Sequence, residues 1–257
     1  MYSIKKLSAV AAAFIIVFSL AACPTPPATT GETGDSPYLG ETLSISGQPV
    51  WKYNKYATKI SKVHTPYEGN HDICVFAYTG KNKLDIEYVG EGEIKNGFIT
   101  FSVNNNDIKN SLVDWDMLCY LFDYWTLWEN TEITPSDTKL NAAAFWAYPV
   151  GEDESNGMVD RQQITGTSST ITDETILYIY AEKDCSISGG KNQGYRNGKY
   201  YYYTESSLNL SLKRGWNMIC ISETYGTNYN GSARFSLIIR DPIMNIENYK
   251  WILNDIR

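Results

Sequence analysis

The stretch Glu93-Ile94-Lys95-Asn96-Gly97-Phe98-Ile99-Thr100-Phe101 decides the fold class. Two strand-like runs flank an Asn-Gly pair, and both residues of such a pair accept the positive φ of a type I′ turn. A β-hairpin is predicted. The same grammar extends in both directions. Upstream, Leu84-Asp85-Ile86-Glu87-Tyr88 alternates as a strand with one wet face does, and Ile73 to Tyr78 is apolar on both faces, as in a central strand. Leu43 and Ile45 alternate with Ser44 and Ser46 until Gly47 breaks the run. Downstream, strand patterns recur at Leu140 to Tyr148, Ile176 to Ala181, Leu208 to Leu212, Trp216 to Ser222 and Phe235 to Ile239. Turn signals fall between them at Asn156-Gly157, Gly189-Gly190, Asn197-Gly198, Arg214-Gly215 and Asn230-Gly231. The expectation is an all-β protein: an antiparallel β-sandwich of immunoglobulin-like or transthyretin-like type, or two packed sandwiches.

One region breaks the alternation. Between Asn110 and Trp128 the apolar residues fall at Leu112, Trp115, Leu118, Cys119, Phe122 and Trp125, steps of three and four that predict a helical insertion near residues 111–128, capped by Asn110 or Ser111. The final stretch, Asn245 to Arg257, reads as a short helix that packs Ile246, Tyr249, Trp251, Ile252 and Leu253 onto the body. Residues 41–133 form an N-terminal β segment and 134–257 a C-terminal one. With no linker composition between them, the two make either one domain or two sharing a tight junction near Thr134 to Leu140.

The N-terminus carries an address. Lys5 and Lys6 precede an apolar core from Leu7 to Leu20, shorter than a membrane span needs, so residues 1–22 read as a signal peptide. The Leu20-Ala21-Ala22-Cys23 run resembles the bacterial lipobox, and that resemblance implies that Cys23 becomes the diacylated N-terminus. Residues 23–40, rich in Pro, Thr and Gly, read as a disordered stalk. Extended, it reaches up to roughly 50 Å at about 3.1 Å per residue. The predicted location is the cell envelope, anchored to the lipid bilayer through Cys23. Pro24 at the position after the cysteine favours the outer membrane, and surface and periplasmic placement stay open.

The formal net charge of the 257-residue chain is −7, and removing Lys5 and Lys6 makes the mature part more acidic. No Lys or Arg cluster exceeds the pair Lys213-Arg214, so no nucleic-acid partner is expected. Beyond Cys23, an exported chain with Cys74, Cys119, Cys185 and Cys220 permits two disulfides in three connectivities. The alternative is that these cysteines are small buried apolar residues.

Catalytic chemistry is not visible. His71-Asp72-Ile73-Cys74 is the one place where His, Asp and Cys crowd together, and His64 is the other histidine. Three donors at best fall short of a zinc site, and a cysteine inside an apolar strand makes a poor nucleophile. Asp114, Asp116 and Asp123 interrupt the helical stretch and read as helix-terminus residues rather than a carboxylate pair. Asp153-Glu154-Ser155-Asn156-Gly157 with Asp160 lacks the ligands of a calcium loop. No metal, no cofactor and no catalytic residue is assigned. The unusual feature is aromatic: Phe, Trp and Tyr make up 14% of the chain, and Tyr200, Tyr201, Tyr202 and Tyr203 run together. In a strand this run puts two tyrosines on each face, a candidate surface for a protein or glycan partner, with sheet packing as the plainer reading. The expected role is non-enzymatic binding or adhesion. A structural or assembly partner of an envelope complex comes second, and a hydrolase with a site assembled only by folding third.

Several segments are similar to lipoproteins of spirochaetes that have no assigned role: Ile45-Ser46-Gly47-Gln48, Gly92 to Gly97, Tyr178 to Asp184 and Leu210 to Asn217. The first also resembles transthyretin-like and peptidase-regulatory β-sandwich modules. The resemblance implies an envelope lipoprotein in which Gly215-Trp216-Asn217 turns into a strand with Trp216 buried. It carries over no catalytic residue.

Overall fold

The computed structural model describes residues 38–53, 64–79, 85–121, 131–152, 157–166, 170–197, 200–227, 233–240 and 246–255. Fifteen strands dominate the described residues. In the first half they are β1 (Tyr38–Gly40), β2 (Thr42–Tyr53), β3 (His64–Pro66), β4 (His71–Tyr78), β5 (Ile86–Lys95), β6 (Phe98–Asn104), β7 (Glu132–Thr134) and β8 (Leu140–Pro149). The second half adds β9 (Gly157–Gly166), β10 (Thr170–Ala181), β11 (Cys185–Asn197), β12 (Tyr200–Leu212), β13 (Gly215–Thr227), β14 (Ala233–Arg240) and β15 (Lys250–Asp255). Between β6 and β7 lie the single-turn α1 (Asn105–Ile108), a 3-10 turn (Lys109–Ser111) and α2 (Trp115–Leu121), and a second 3-10 turn (Ile246–Asn248) precedes β15.

The all-β expectation holds, and the sandwich does not. Eight strands close into a barrel in the order β2-β6-β5-β4-β8-β10-β9-β15 and back to β2. Closure depends on the last strand. β15 runs antiparallel to β9, from Lys250↔Gln162 to Asp255↔Gly157, and parallel to β2 at Trp251↔Val50, Ile252↔Trp51 and Leu253↔Lys52. Alternation of period two is common to sandwich and barrel, so the sequence pattern does not separate them; closure removes the free edges that an open sheet would leave. From β10 the sheet also continues outward through β13, β14, β12 and β11 to β7.

Two apolar cores follow from this geometry. Inside the barrel, Phe101, Phe145, Tyr178 and Trp251 pack together: Tyr178 stacks on Trp251 with centroids 5.9 Å apart, and the rings of Phe101 and Phe145 meet Trp251 edge-on at 5.6 and 5.7 Å. A barrel of eight strands is just wide enough for side chains to fill it. The second core lies under the outward sheet, where Ile179, Ile219, Ile221, Leu208, Leu210, Leu237 and Ile239 meet Trp115 and Leu118 of α2. β10 and β13 separate the two cores, sending Tyr178, Met218 and Cys220 to one and Ile179, Ile219 and Ile221 to the other. This is why Ile176 to Ala181 and Trp216 to Ser222 read as nearly continuous apolar runs.

The β5–β6 hairpin forms as read, with Asn96 at φ 52° and Gly97 at φ 81°. Trp216 is fully buried, and Gly215, at φ 108°, opens β13. Other elements differ from expectation. The insertion's helix begins at Trp115 rather than near residue 111, with the Asp114 carbonyl accepting from the amides of Met117 and Leu118; it is described to Leu121, and residues 122–130 lie outside those described. The expected C-terminal helix is instead the barrel strand β15. Trp251 and Leu253 point to one face and Ile252 to the other, and all three are buried. Gly189-Gly190 is no turn: β11 runs straight through it, and a side chain at Gly190 would strike the Ser206 carbonyl of β12. Tyr38–Gly40, at the end of the expected stalk, pairs with β13. Residues 33–257 form one compact unit, in which β15 of the C-terminal segment pairs with β2 of the N-terminal one.

Candidate functional site

The barrel seam between β2 and β15 is zipped for three residue pairs only, Val50 to Lys52 with Trp251 to Leu253. Ahead of Val50, β2 is bulged. Its register on β6 shifts between Ile45 and Gln48, Gly47 takes φ 63°, and the Gly47 amide donates to Thr100 Oγ1 at 3.2 Å. A bulge bends its strand away from the regular ladder. On the other side, the chain enters β15 through the 3-10 turn at Ile246–Asn248, closed by the Tyr249 amide on the Ile246 carbonyl at 3.2 Å. The gap between them is a cavity of about 370 Å³, lined by Ser44, Ile45, Ser46 and Gln48, by Ile246 and Glu247, and by Arg161 from β9.

Arg161 is the unusual member. Along β9, Val159 and Arg161 are buried while Met158 and Asp160 are only half-buried, so a guanidinium occupies an inward position of the barrel wall. It is 9% exposed. Nε donates to the Tyr249 carbonyl at 3.3 Å, Nη2 to the Ile246 carbonyl at 2.9 Å and Nη1 to the Tyr178 hydroxyl at 3.4 Å. The guanidinium carbon also lies 5.9 Å from the centroid of the Trp251 ring. Among the described residues no carboxylate pairs with it. The nearby buried carboxylate, Glu174, is already engaged: Arg240 Nη2 donates to Oε1 at 2.6 Å and the Tyr249 hydroxyl to Oε2 at 2.9 Å. A buried cation without a counter-charge is costly, and backbone carbonyls and a ring face offset only part of that cost.

Burial disfavours ionisation of the groups behind the cavity. Burial, with Cys220 and Glu174 beside it, pushes the Tyr249 phenol well above its ordinary range, and burial pushes the Cys220 thiol up to about 11. Cys220 Sγ lies 3.7 Å from the Tyr249 hydroxyl, which puts it in a hydrogen-bonded clamp holding the turn at Ile246–Asn248 against β10 and β13. One residue from Arg161, burial raises the Asp160 carboxyl to about 6, against a hydrogen bond from Asn254 Nδ2 to Oδ2 at 3.0 Å that acts to lower it.

The residues singled out in the sequence do not converge on this cavity. Cys23 lies outside the described residues. Tyr200 to Tyr203 begin β12, paired with β11 along the whole run and with β14 at Tyr202 and Tyr203; their side chains lie outside the description. Cys74, Cys185 and Cys220 are free thiols. Cys220 faces the barrel core, Cys185 the second core, and Cys74 alternates with the inward Ile73 and Val75, so no two of these three meet. The remaining pairings involve Cys119, whose side chain is not described. His71 is buried with Nδ1 2.8 Å from the Tyr67 hydroxyl, whereas Asp72 points out, because neighbours in a strand face opposite ways. Burial, then Asp72 and Glu91, raise the Cys74 thiol, the reverse of an activated nucleophile. His64 lies in β3. Asp114 is exposed and paired with Lys139, Asp116 is exposed, and Asp123 and Asp153 lie outside the described residues. Among the described residues no group of three or more His, Cys, Asp or Glu side chains could hold a metal ion. Gly157 to Gly166 is polar and lacks clean alternation, so its sequence gives no strand signal. The one available mark of Arg161 as inward is a charge in phase with Val159.

No family model, no curated protein and no solved structure matches the chain.

Proposed function

We propose that the protein is a lipid-anchored component of the bacterial envelope that binds a small solute in the barrel seam without transforming it. The observation that carries this reading is the seam cavity, whose lining sets the buried Arg161 guanidinium beside Ser44, Ile45, Ser46, Gln48, Ile246 and Glu247. A cavity of about 370 Å³ falls in the range of small-molecule sites. Anchorage rests on the lipobox-like run at Leu20 to Cys23. Two experiments test the two halves. Cys23→Ala should abolish palmitate labelling and membrane retention, and label persisting in that variant overturns the anchor. Native mass spectrometry of the full chain, released in mild detergent, should show a co-purifying small molecule that is missing from Ile45→Trp, whose larger side chain crowds the cavity lining. Identical spectra from the two proteins contradict the solute reading.

A second reading, an assembly partner of an envelope complex, draws on the outer barrel face. There Phe76 stands between Tyr88, 50% exposed, and Trp146, with ring centroids 6.1 and 6.0 Å away. Exposed aromatic groups favour protein contacts. Crosslinking in intact cells should lose an envelope partner on Tyr88→Ser if this face docks one, and unchanged capture removes the reading.

A further inference from the structure

The solute can be specified further, on the assumption that the seam is a solute site. We infer that it is a small organic anion, with one carboxylate- or phosphate-type head held by Arg161 and a short apolar body between Ile45 and Ile246. A guanidinium has five N–H donors and stays protonated. Arg161 spends three on Tyr249, Ile246 and Tyr178, which leaves one N–H on each terminal nitrogen. Both terminal nitrogens therefore keep a donor, and a guanidinium presents such donors as the fork that carboxylate and phosphate oxygens accept in parallel. The three protein hydrogen bonds fix the plane of that fork in advance, so little side-chain freedom is lost when an anion arrives. An anion also supplies the counter-charge that Arg161 lacks among the described residues.

The rest of the lining sets the body of the ligand. Ile45 and Ile246, both packed against the barrel core, are the apolar members of the lining, while Ser44, Ser46 and Gln48 make the bulged edge of β2 polar. Glu247, exposed on the turn, adds a negative charge to the lining and disfavours a second acidic group on the ligand. A single head on an apolar body satisfies all of these groups; a polyanion does not.

The test is saturation-transfer NMR on the full chain in a non-ionic detergent, with butyrate and butylamine as matched probes and phosphorus line width for inorganic phosphate. Butyrate should receive saturation from the wild-type protein and butylamine should stay at background. The butyrate signal should fall at least tenfold in Arg161→Gln and in Ile45→Trp. Phosphate broadening that disappears in Arg161→Gln supports the anionic head. A butylamine signal equal to that of butyrate, or butyrate binding that survives Arg161→Gln and fails in Ile45→Trp, overturns the anion and leaves the solute cavity standing. Butyrate binding that survives Ile45→Trp overturns the cavity as well. No response to any probe in the wild type overturns the inference. Should circular dichroism show Arg161→Gln misfolded, the contrast between butyrate and butylamine, with Ile45→Trp as the blocked control, decides alone.

Discussion

Replacing Asp160 by Asn should stabilise the protein at neutral and alkaline pH and leave it unchanged in acid. The carboxyl is raised from its ordinary 3.8 to about 6, chiefly because burial on β9 disfavours the charged form. A raised carboxyl binds its proton more tightly in the folded than in the unfolded chain. Stability is therefore greatest below the unfolded value, falls as pH rises between about 4 and 6, and is flat above. The gap corresponds to about 3 kcal/mol at about 1.36 kcal/mol per pH unit. Because Asp160 is only half-buried, solvent screening reduces this to about 1 to 3 kcal/mol. Asparagine removes the charge and keeps an oxygen to accept from Asn254, so the hydrogen bond survives. Urea unfolding at pH 8, 6 and 3.5 measures the difference: Asp160→Asn should lie above the wild type at pH 8 and converge with it at pH 3.5. A variant no more stable than wild type at pH 8, or an offset independent of pH, refutes desolvation as the force that raises this carboxyl.

Gly97→Ala should cost about 2 kcal/mol or more in the same unfolding assay, because the turn requires φ 81° and an added Cβ would collide with the Tyr67 carbonyl; a neutral effect would mean that the hairpin tip does not dock against residues 67–69. Cys185 and Cys220, each pushed up to about 11 by burial, should react with a thiol reagent only in denaturant. Mass spectrometry without reductant should show no bond between these two, and finding one would displace one of the two cores.

Local chemistry made much of the fold readable. Asn96-Gly97 specifies its hairpin because both residues sit at positive φ, and β2, β4, β8, β10, β13 and β14 show themselves through alternation or through runs buried on both faces. What escaped is non-local. Ile246, Tyr249, Trp251, Ile252 and Leu253 fit a short helix as well as a strand. The choice is made by β2 and β9, which present unpaired edges to Trp251–Leu253 from about 200 and about 90 residues away in the chain. The parallel step onto Val50–Lys52 that turns an open sheet into a barrel leaves no trace in period-two patterning. The candidate site was hidden for a related reason. A lone arginine in a polar strand has no motif, and its meaning appears only when Tyr178, Trp251 and the turn at Ile246–Asn248 surround it and Glu174 is taken by Arg240.

The most direct test of the central claim, that a buried and uncompensated Arg161 anchors an anion in the barrel seam, is the arginine Nε–H spectrum of the nitrogen-15-labelled full chain, with the Arg161 resonance assigned through Arg161→Gln. Adding butyrate should shift that resonance progressively to a plateau while the Arg240 resonance, held by Glu174, stays in place. An Arg161 resonance that does not move at butyrate concentrations far above the solute range of the cell would contradict the account.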